Sequence, residues 1–178
     1  DIPTGNTACI LSAATIRLRS LQGISRRAIA KVMPEPESEF VLLDSGANVE
    51  CKPVHLVEFA VMGSIYSREI LGKASPRVGI LANGTEENKG TELTLEAGRI
   101  LRRMDLNFIG NVEGHDLFHN KVDVVVCDGF VGNIVLKTCE SMARSMMGWL
   151  KAELTATPVR MAGAYLARDA FKKLKHRL

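Results

Sequence analysis

The sequence predicts an α/β fold, a mostly parallel sheet with helices covering both faces. Short continuous apolar runs at residues 40–44 and 77–82 have the character of strands buried on both sides, and residues 107–110 and 122–127 add two more strands. Between them lie stretches with apolar residues at helical spacing, and most joining loops are only a few residues long. Alternation of this kind feeds parallel pairing through right-handed crossovers.

The elements follow in order. Thr4, Gly5, Asn6 and Thr7 form a turn that opens a helix over residues 10–21, apolar on one side with Arg17 and Arg19 on the other, and Gly23 is placed to stop it. A loop rich in Pro and Glu leads to the strand at 40–44, and residues 45–48 (Ser-Gly-Ala-Asn) turn the chain. Pro53 suits the first position of a helix whose stripe of Leu56, Phe59, Ala60, Met62, Gly63, Tyr66 and Ile70 runs to Gly72. The strand at 77–82, the polar loop 83–90 and a helix over 92–104 repeat the cycle. After the strands at 107–110 and 122–127, a turn marked by Gly132 and Asn133 starts a long apolar helix. Residues 155–178 read as a projecting amphipathic helical segment. Val159, Ala162, Leu166, Ala170 and Phe171 lie near one stripe, with Arg160, Arg168, Lys172, Lys173, Lys175 and Arg177 as a basic surface. That surface suits anionic lipid or an acidic protein, and the helix equally suits packing on the core or on a second subunit.

The 178 residues, 46% hydrophobic and 24% charged, describe a single soluble α/β domain. A formal charge of +3 and 5% aromatics argue against a nucleic-acid partner. Cys9, Cys51, Cys127 and Cys139 form no C-x-x-C pair, and no signal peptide or membrane-length apolar span precedes them, which points to a reducing cytoplasm. The start at Asp1 within a turn, and a last helical pattern that reaches Leu178 without a cap, predict a chain incomplete at both ends.

Gly stands beside or near Asn at what the pattern takes for strand ends: Gly5 and Asn6, Gly46 and Asn48, Asn83 and Gly84, Gly110 and Asn111, Gly132 and Asn133. In open parallel sheets the ligand crevice lies outside the carboxyl ends of the strands. Lysines recur where helices begin: Lys52 before Pro53, Lys89 before the helix at Glu92, and Lys137 about one turn into the last long helix. A lysine there is unfavourable against the helix dipole unless an anion is present, and phosphate supplies one. Pairing with Glu50, Glu87 or Glu140 is the alternative. No turn spells a dinucleotide or P-loop motif. His115 and His119 are spaced as a helical metal pair, but the short segment between Gly114 and Asn120 reads as an exposed polar loop, and no metal site is assigned.

Four stretches carry a resemblance: residues 42–53 (Leu-Leu-Asp-Ser-Gly-Ala-Asn-Val-Glu-Cys-Lys-Pro), 59–66 (Phe-Ala-Val-Met-Gly-Ser-Ile-Tyr), 107–113 (Asn-Phe-Ile-Gly-Asn-Val-Glu) and 124–133 (Val-Val-Val-Cys-Asp-Gly-Phe-Val-Gly-Asn). In this order they closely resemble the PlsX family, the acyl-carrier-protein:phosphate acyltransferases of phospholipid synthesis. The resemblance implies a three-layer α/β/α sandwich like the isocitrate and isopropylmalate dehydrogenases and phosphotransacetylase, usually dimeric. It implies attack of inorganic phosphate on an acyl-carrier-protein thioester, with the acyl phosphate passed to a membrane glycerol-3-phosphate acyltransferase. No cofactor is expected, since the nucleophile is a substrate.

By the same resemblance Lys89 and Asn133 occupy the family's catalytic positions, Lys89 binding phosphate and developing charge and Asn133 orienting the carbonyl or the phosphate. Asn6, Thr7, Asn48, Lys52, Asn83 and Lys137 are further candidates for holding phosphate or the acyl group. Val159, Met161, Tyr165 and Leu166, with Ala164, match the tip of a helical hairpin implicated in peripheral attachment to the inner face of the membrane, or in carrier docking. A coenzyme A-dependent enzyme for short acyl groups and a non-catalytic phosphate- or nucleotide-binding homologue are the competing readings.

Overall fold

Lys31–Pro34 (β1) and Glu39–Leu43 (β2) form a hairpin, closed by a hydrogen bond from Glu35 N to Ser38 O at 3.0 Å, in a computed structural model that describes residues 25–177. Pro53–Glu69 (α1), Val78–Leu81 (β3), Glu92–Leu101 (α2), Phe108–Val112 (β4), a 3-10 turn at Asp116–Phe118 and Val124–Val126 (β5) follow. Gly129–Thr155 (α3), Pro158–Leu166 (α4) and Arg168–Arg177 (α5) complete the chain. The turn at residues 4–7 and the helix at 10–21 lie outside the described residues. The chain divides into two compact units, Asp1–Asn133 and Ile134–Leu178.

The five strands lie in the order β1-β2-β5-β3-β4, parallel except for β1. β5 enters last and takes the centre, with Val124 beside Val41 on one side and Val78 on the other. The run at 40–44 and the centre of that at 77–82 are buried, as expected, and so is that at 122–127, whereas the run at 107–110 forms the edge strand β4, where Ile109 is 42% exposed. Val41, Leu43, Val78, Ile80, Val124 and Val126 meet Leu56, Phe59 and Ala60 of α1 and Ala97 and Leu101 of α2 in one core. Phe40, Leu42 and Val125 are buried on the other face, where the Phe40 ring packs edge-on against Phe118 at 5.8 Å.

Three expectations are corrected. β1 falls in the stretch read as loop, because only Met33 of its four residues is buried and Pro34 ends it; an edge strand tolerates both. Gly110 and Asn111 do not form a strand-end turn but lie inside β4, where the ladder to β3 skips a residue and Gly110 adopts φ +96°. Gly132 and Asn133 likewise lie in the first turns of α3. Residues 155–178 form two short helices rather than one segment. The Thr157 side chain caps Arg160 N, Pro158 takes the first position of α4, and α4 ends at Ala167.

The amino ends of the strands are pinned by a buried carboxylate. Asp123, just before β5, accepts from Arg77 N at 2.8 Å, Nε at 2.8 Å and an Nη at 3.1 Å, with Lys73 Nζ at 3.3 Å. Burial opposes its charge, but the Arg77 hydrogen bonds prevail and hold the carboxyl below its ordinary value.

At the start of α1, Lys52 has no side-chain oxygen with which to cap the helix, and the third helical residue, His55, pairs with its backbone instead. His55 Nδ1 accepts Lys52 N–H at 3.0 Å, and His55 N donates to Lys52 O at 2.9 Å. Nδ1 must therefore be unprotonated. Burial, reinforced by the nearby Arg26 cation, lowers the pKa of this imidazole. As pH falls through the unfolded-state value, near 6.5, the unfolded chain takes up a proton that the folded chain refuses, so stability declines toward acid and levels off below the folded value. His55→Gln keeps an acceptor and cannot titrate. Urea unfolding between about pH 7 and about pH 5 should show a smaller loss of stability in His55→Gln than in the parent.

Candidate active site at the carboxyl ends of the strands

The turn after β2 is organised around Asp44, which is fully buried. Its carboxylate accepts from the backbone N–H groups of Ile29, Gly46, Ala47 and Asn48 at 2.7–3.2 Å and from Asn48 Nδ2 at 2.8 Å. An Asp followed by small and turn-forming residues is suited to such a nest, because its side chain hydrogen-bonds the backbone a few residues on. Asn48 Nδ2 also donates to Arg27 O at 2.6 Å. Both amide protons of Asn48 are thus spent inside the turn, and Asn48 acts as a strut.

The turn after the adjacent β5 locks onto this one. Gly129 N donates to Asn48 O at 2.7 Å, and Asp128 Oδ1 caps Val131 N at 2.9 Å. A Cβ on Gly132 would overlap the Asp44 carbonyl oxygen, and one on Gly129 would stand 2.8 Å from the Asn48 backbone. These glycines allow two backbones to touch where any side chain would part them. The close approach carries Asn133 over Gly46 (φ +135°), with side-chain atoms 3.5–3.8 Å from where a Cβ would stand. Asn133 itself is exposed.

Lys89 sits in the turn after β3, the strand on the other side of β5. Residues 86–89 close a β-turn through Lys89 N to Glu86 O at 3.0 Å, Gly90 (φ +113°) redirects the chain, and Thr91 caps α2. The lysine stem lies across buried Gly84, with Cγ 2.7 Å from where a Gly84 Cβ would stand. Lys89 is exposed and pairs with no carboxylate among the described residues; Glu87 is taken by Arg102 at 3.2 Å. Asn83 is exposed in the same loop, and Lys52 is exposed at the start of α1.

Lys137 belongs to the second unit. Its ammonium meets Glu140 at 3.0 Å on the same helix, so the counter-charge the sequence called for is already present in the chain. Val159, Met161, Tyr165 and Leu166 are 53–85% exposed, and the Arg168 guanidinium stacks 5.0 Å from the Tyr165 ring. Asn6 and Thr7 lie outside the described residues.

The described cysteines do not offer a ready thiolate. Burial raises the pKa of the Cys127 thiol strongly and also raises those of Cys51 and Cys139. Cys9 lies outside the described residues. Glu113, His115 and Asp116 bring ligand atoms within 4.8 Å of one another, but the Lys121 ammonium already sits on an Asp116 oxygen and the other accepts Glu113 N–H at 3.0 Å. Lys121 chiefly, then the Glu113 N–H, lowers the pKa of Asp116.

The chain matches the model of the family described as fatty acid synthesis protein over residues 2–178. It belongs to this family. Among curated relatives, the phosphate acyltransferase of Pelotomaculum thermopropionicum is 47% identical over 99% of this chain and 52% of the relative. That of Akkermansia muciniphila is 44% identical over 99% of this chain and 52% of the relative. The chain spans about half the length of the curated relatives it matches. In fold it resembles a phosphotransacetylase from Streptococcus pyogenes (TM-score 0.61, 19% identity, 79% of this chain and 49% of the other). The EutD phosphotransacetylase from Staphylococcus aureus is similar too (TM-score 0.57, 19% identity, 80% and 49%). The fatty acid synthesis family thus shares its mostly parallel α/β sheet with phosphotransacetylases.

Two features of the rim escaped the sequence reading, the Asp44 nest and the contact between the β2 and β5 turns. The run Asp44-Ser-Gly-Ala-Asn48 held the signal for the first; the second is long-range and has none. Asp44→Asn puts an amide among N–H donors and should cost about 3 kcal/mol or more in urea unfolding. Gly132→Ala should cost about 1–3 kcal/mol by the same measurement, through forced separation of the turns.

Proposed function

We propose that the protein is a phosphate acyltransferase that moves the acyl group of an acyl-carrier-protein thioester to inorganic phosphate. The observation that carries this reading is Lys89, an exposed ammonium with no salt-bridge partner among the described residues, mounted on a closed turn at the same carboxyl-end rim as Asn133. The activity for which the relatives are named, phosphate acyltransferase, supports it. A phosphate oxygen attacks the thioester carbonyl, the tetrahedral oxyanion collapses, the C–S bond breaks, and acyl phosphate and the carrier thiolate leave. The nucleophile and leaving group both come from the substrates, so the protein's contribution is position and charge. Lys89 holds phosphate and offsets the growing negative charge, and the Asn133 amide orients the carbonyl or the phosphate. Lys52 and Asn83 add cationic and hydrogen-bonding reach, Asn48 keeps the turn in shape, and Lys137 is a further candidate for holding phosphate. Asn6 and Thr7 are further candidates for holding phosphate.

In this reading the complete fold is a three-layer α/β/α sandwich of the dehydrogenase-like class, working as a cytoplasmic homodimer, and an acyltransferase acting on glycerol 3-phosphate takes up the product. Val159, Met161, Tyr165 and Leu166 form the surface offered to the membrane or to the carrier, with the neighbouring basic residues meeting its acidic groups. No described helix is long and apolar enough to cross a membrane.

The test is to incubate the natural full-length product with palmitoyl-carrier protein and labelled phosphate and to trap acyl phosphate with hydroxylamine. Phosphate-dependent product is expected, and Lys89→Ala should lower turnover about 100-fold or more. Product from acetyl-coenzyme A but not from the carrier thioester would select the short-chain alternative. Phosphate binding without product would select the non-catalytic one.

A further inference from the structure

We propose that Asn111 is a positioning residue that sets the place of Lys89. The inference rests on the reading of Lys89 given above. Asn111 Nδ2 donates to Glu86 O at 2.8 Å and to Lys89 O at 3.1 Å. An amide nitrogen has two protons, and here each reaches one end of the β-turn whose last residue is Lys89. Glu86 O receives Lys89 N–H as well, so the turn is closed once by itself and once more from β4. The strand also holds the start of the same loop, since Ala82 N donates to Val112 O at 2.9 Å.

The backbone of β4 is built to aim this side chain. Between Val78 and Gly79 the pairing slips, so that Phe108 faces Val78 and Gly110 faces Gly79, with Ile109 left over. The extra residue reverses the alternation of faces beyond it, and Gly110 accommodates it at φ +96°. Asn111 then stands opposite Ile80 and Val112 opposite Leu81. Few side chains can replace the amide. Aspartate has the shape but would point two acceptors at two carbonyls, serine has a single donor, and glutamine overshoots by a methylene.

The experiment uses the full-length protein with palmitoyl-carrier protein and inorganic phosphate, and compares the parent, Asn111→Asp, Lys89→Ala and the double variant. Asn111→Asp should lower kcat/KM for phosphate about 10- to 100-fold, and in the Lys89→Ala background it should cost less than about twofold more. In parallel, the rate of tryptic cleavage after Lys89, followed by mass spectrometry, should rise severalfold in Asn111→Asp, whether or not Lys89 is catalytic. Full multiplication of the two kinetic losses, or unchanged cleavage after Lys89, overturns the proposal. Full activity in Lys89→Ala instead removes the catalytic assignment of Lys89, and with it the positioning role, even if faster cleavage shows the clamp to be real.

Discussion

The carboxyl-end rim depends on one buried carboxylate. Asp44 is buried from solvent, and the N–H groups of Ile29, Gly46, Ala47 and Asn48 solvate it instead. The arrangement stabilises the charge and spends the turn's donors at once, so the backbone from Gly46 to Asn48 has little freedom left. The β5 turn then uses that rigidity. Asn48 O receives Gly129 N–H, and the Asp44 carbonyl sits where a Gly132 side chain would be. Asn133 owes its place over Gly46 to this stack of contacts.

The other end of the sheet uses the opposite solution. Asp123 is held by the Arg77 guanidinium and the Lys73 ammonium, and Arg77 also reaches Asn120 O at 2.7 Å. There, cations join the strand starts. At the carboxyl ends backbone dipoles do the work, which leaves Lys89 without a partner carboxylate among the described residues. The division is consistent with an anion-binding rim, because a carboxylate salt bridge at that end would compete with the ligand for the same cation.

What could be read from the sequence was what depends on local pattern. The buried strands and α1 and α2 announce themselves through apolar runs and helical spacing, and the resemblance across four motifs led to the family that the whole-chain match shows. What could not be read depends on long-range geometry. β1 has one buried residue in four, too few for a pattern. Gly110 and Asn111 look like a turn because a bulge needs the same residue types as a turn, and only the pairing with β3 tells them apart. The break at Thr157 and Pro158 carried a local signal, a capping Thr before Pro, which the amphipathic stripe across it concealed.

The three lysines at helix starts looked alike in sequence and differ in mounting. Lys137 stands on a helix one turn from Glu140, in an exposed pair worth about 0–1 kcal/mol, so its charge is partly offset within its own helix. Lys52 has the amino end of α1 behind it, with no acidic residue in that first turn, yet its side chain makes no cap hydrogen bond that would hold it in place. Lys89 alone has its backbone clamped at both ends of a turn and its stem laid over Gly84, where the missing side chain leaves a floor for Cγ. A lysine gives up about 2 kcal/mol of rotamer freedom when it is fixed. In the proposed reading, a stem already laid over Gly84 has less of that freedom left to lose when phosphate binds.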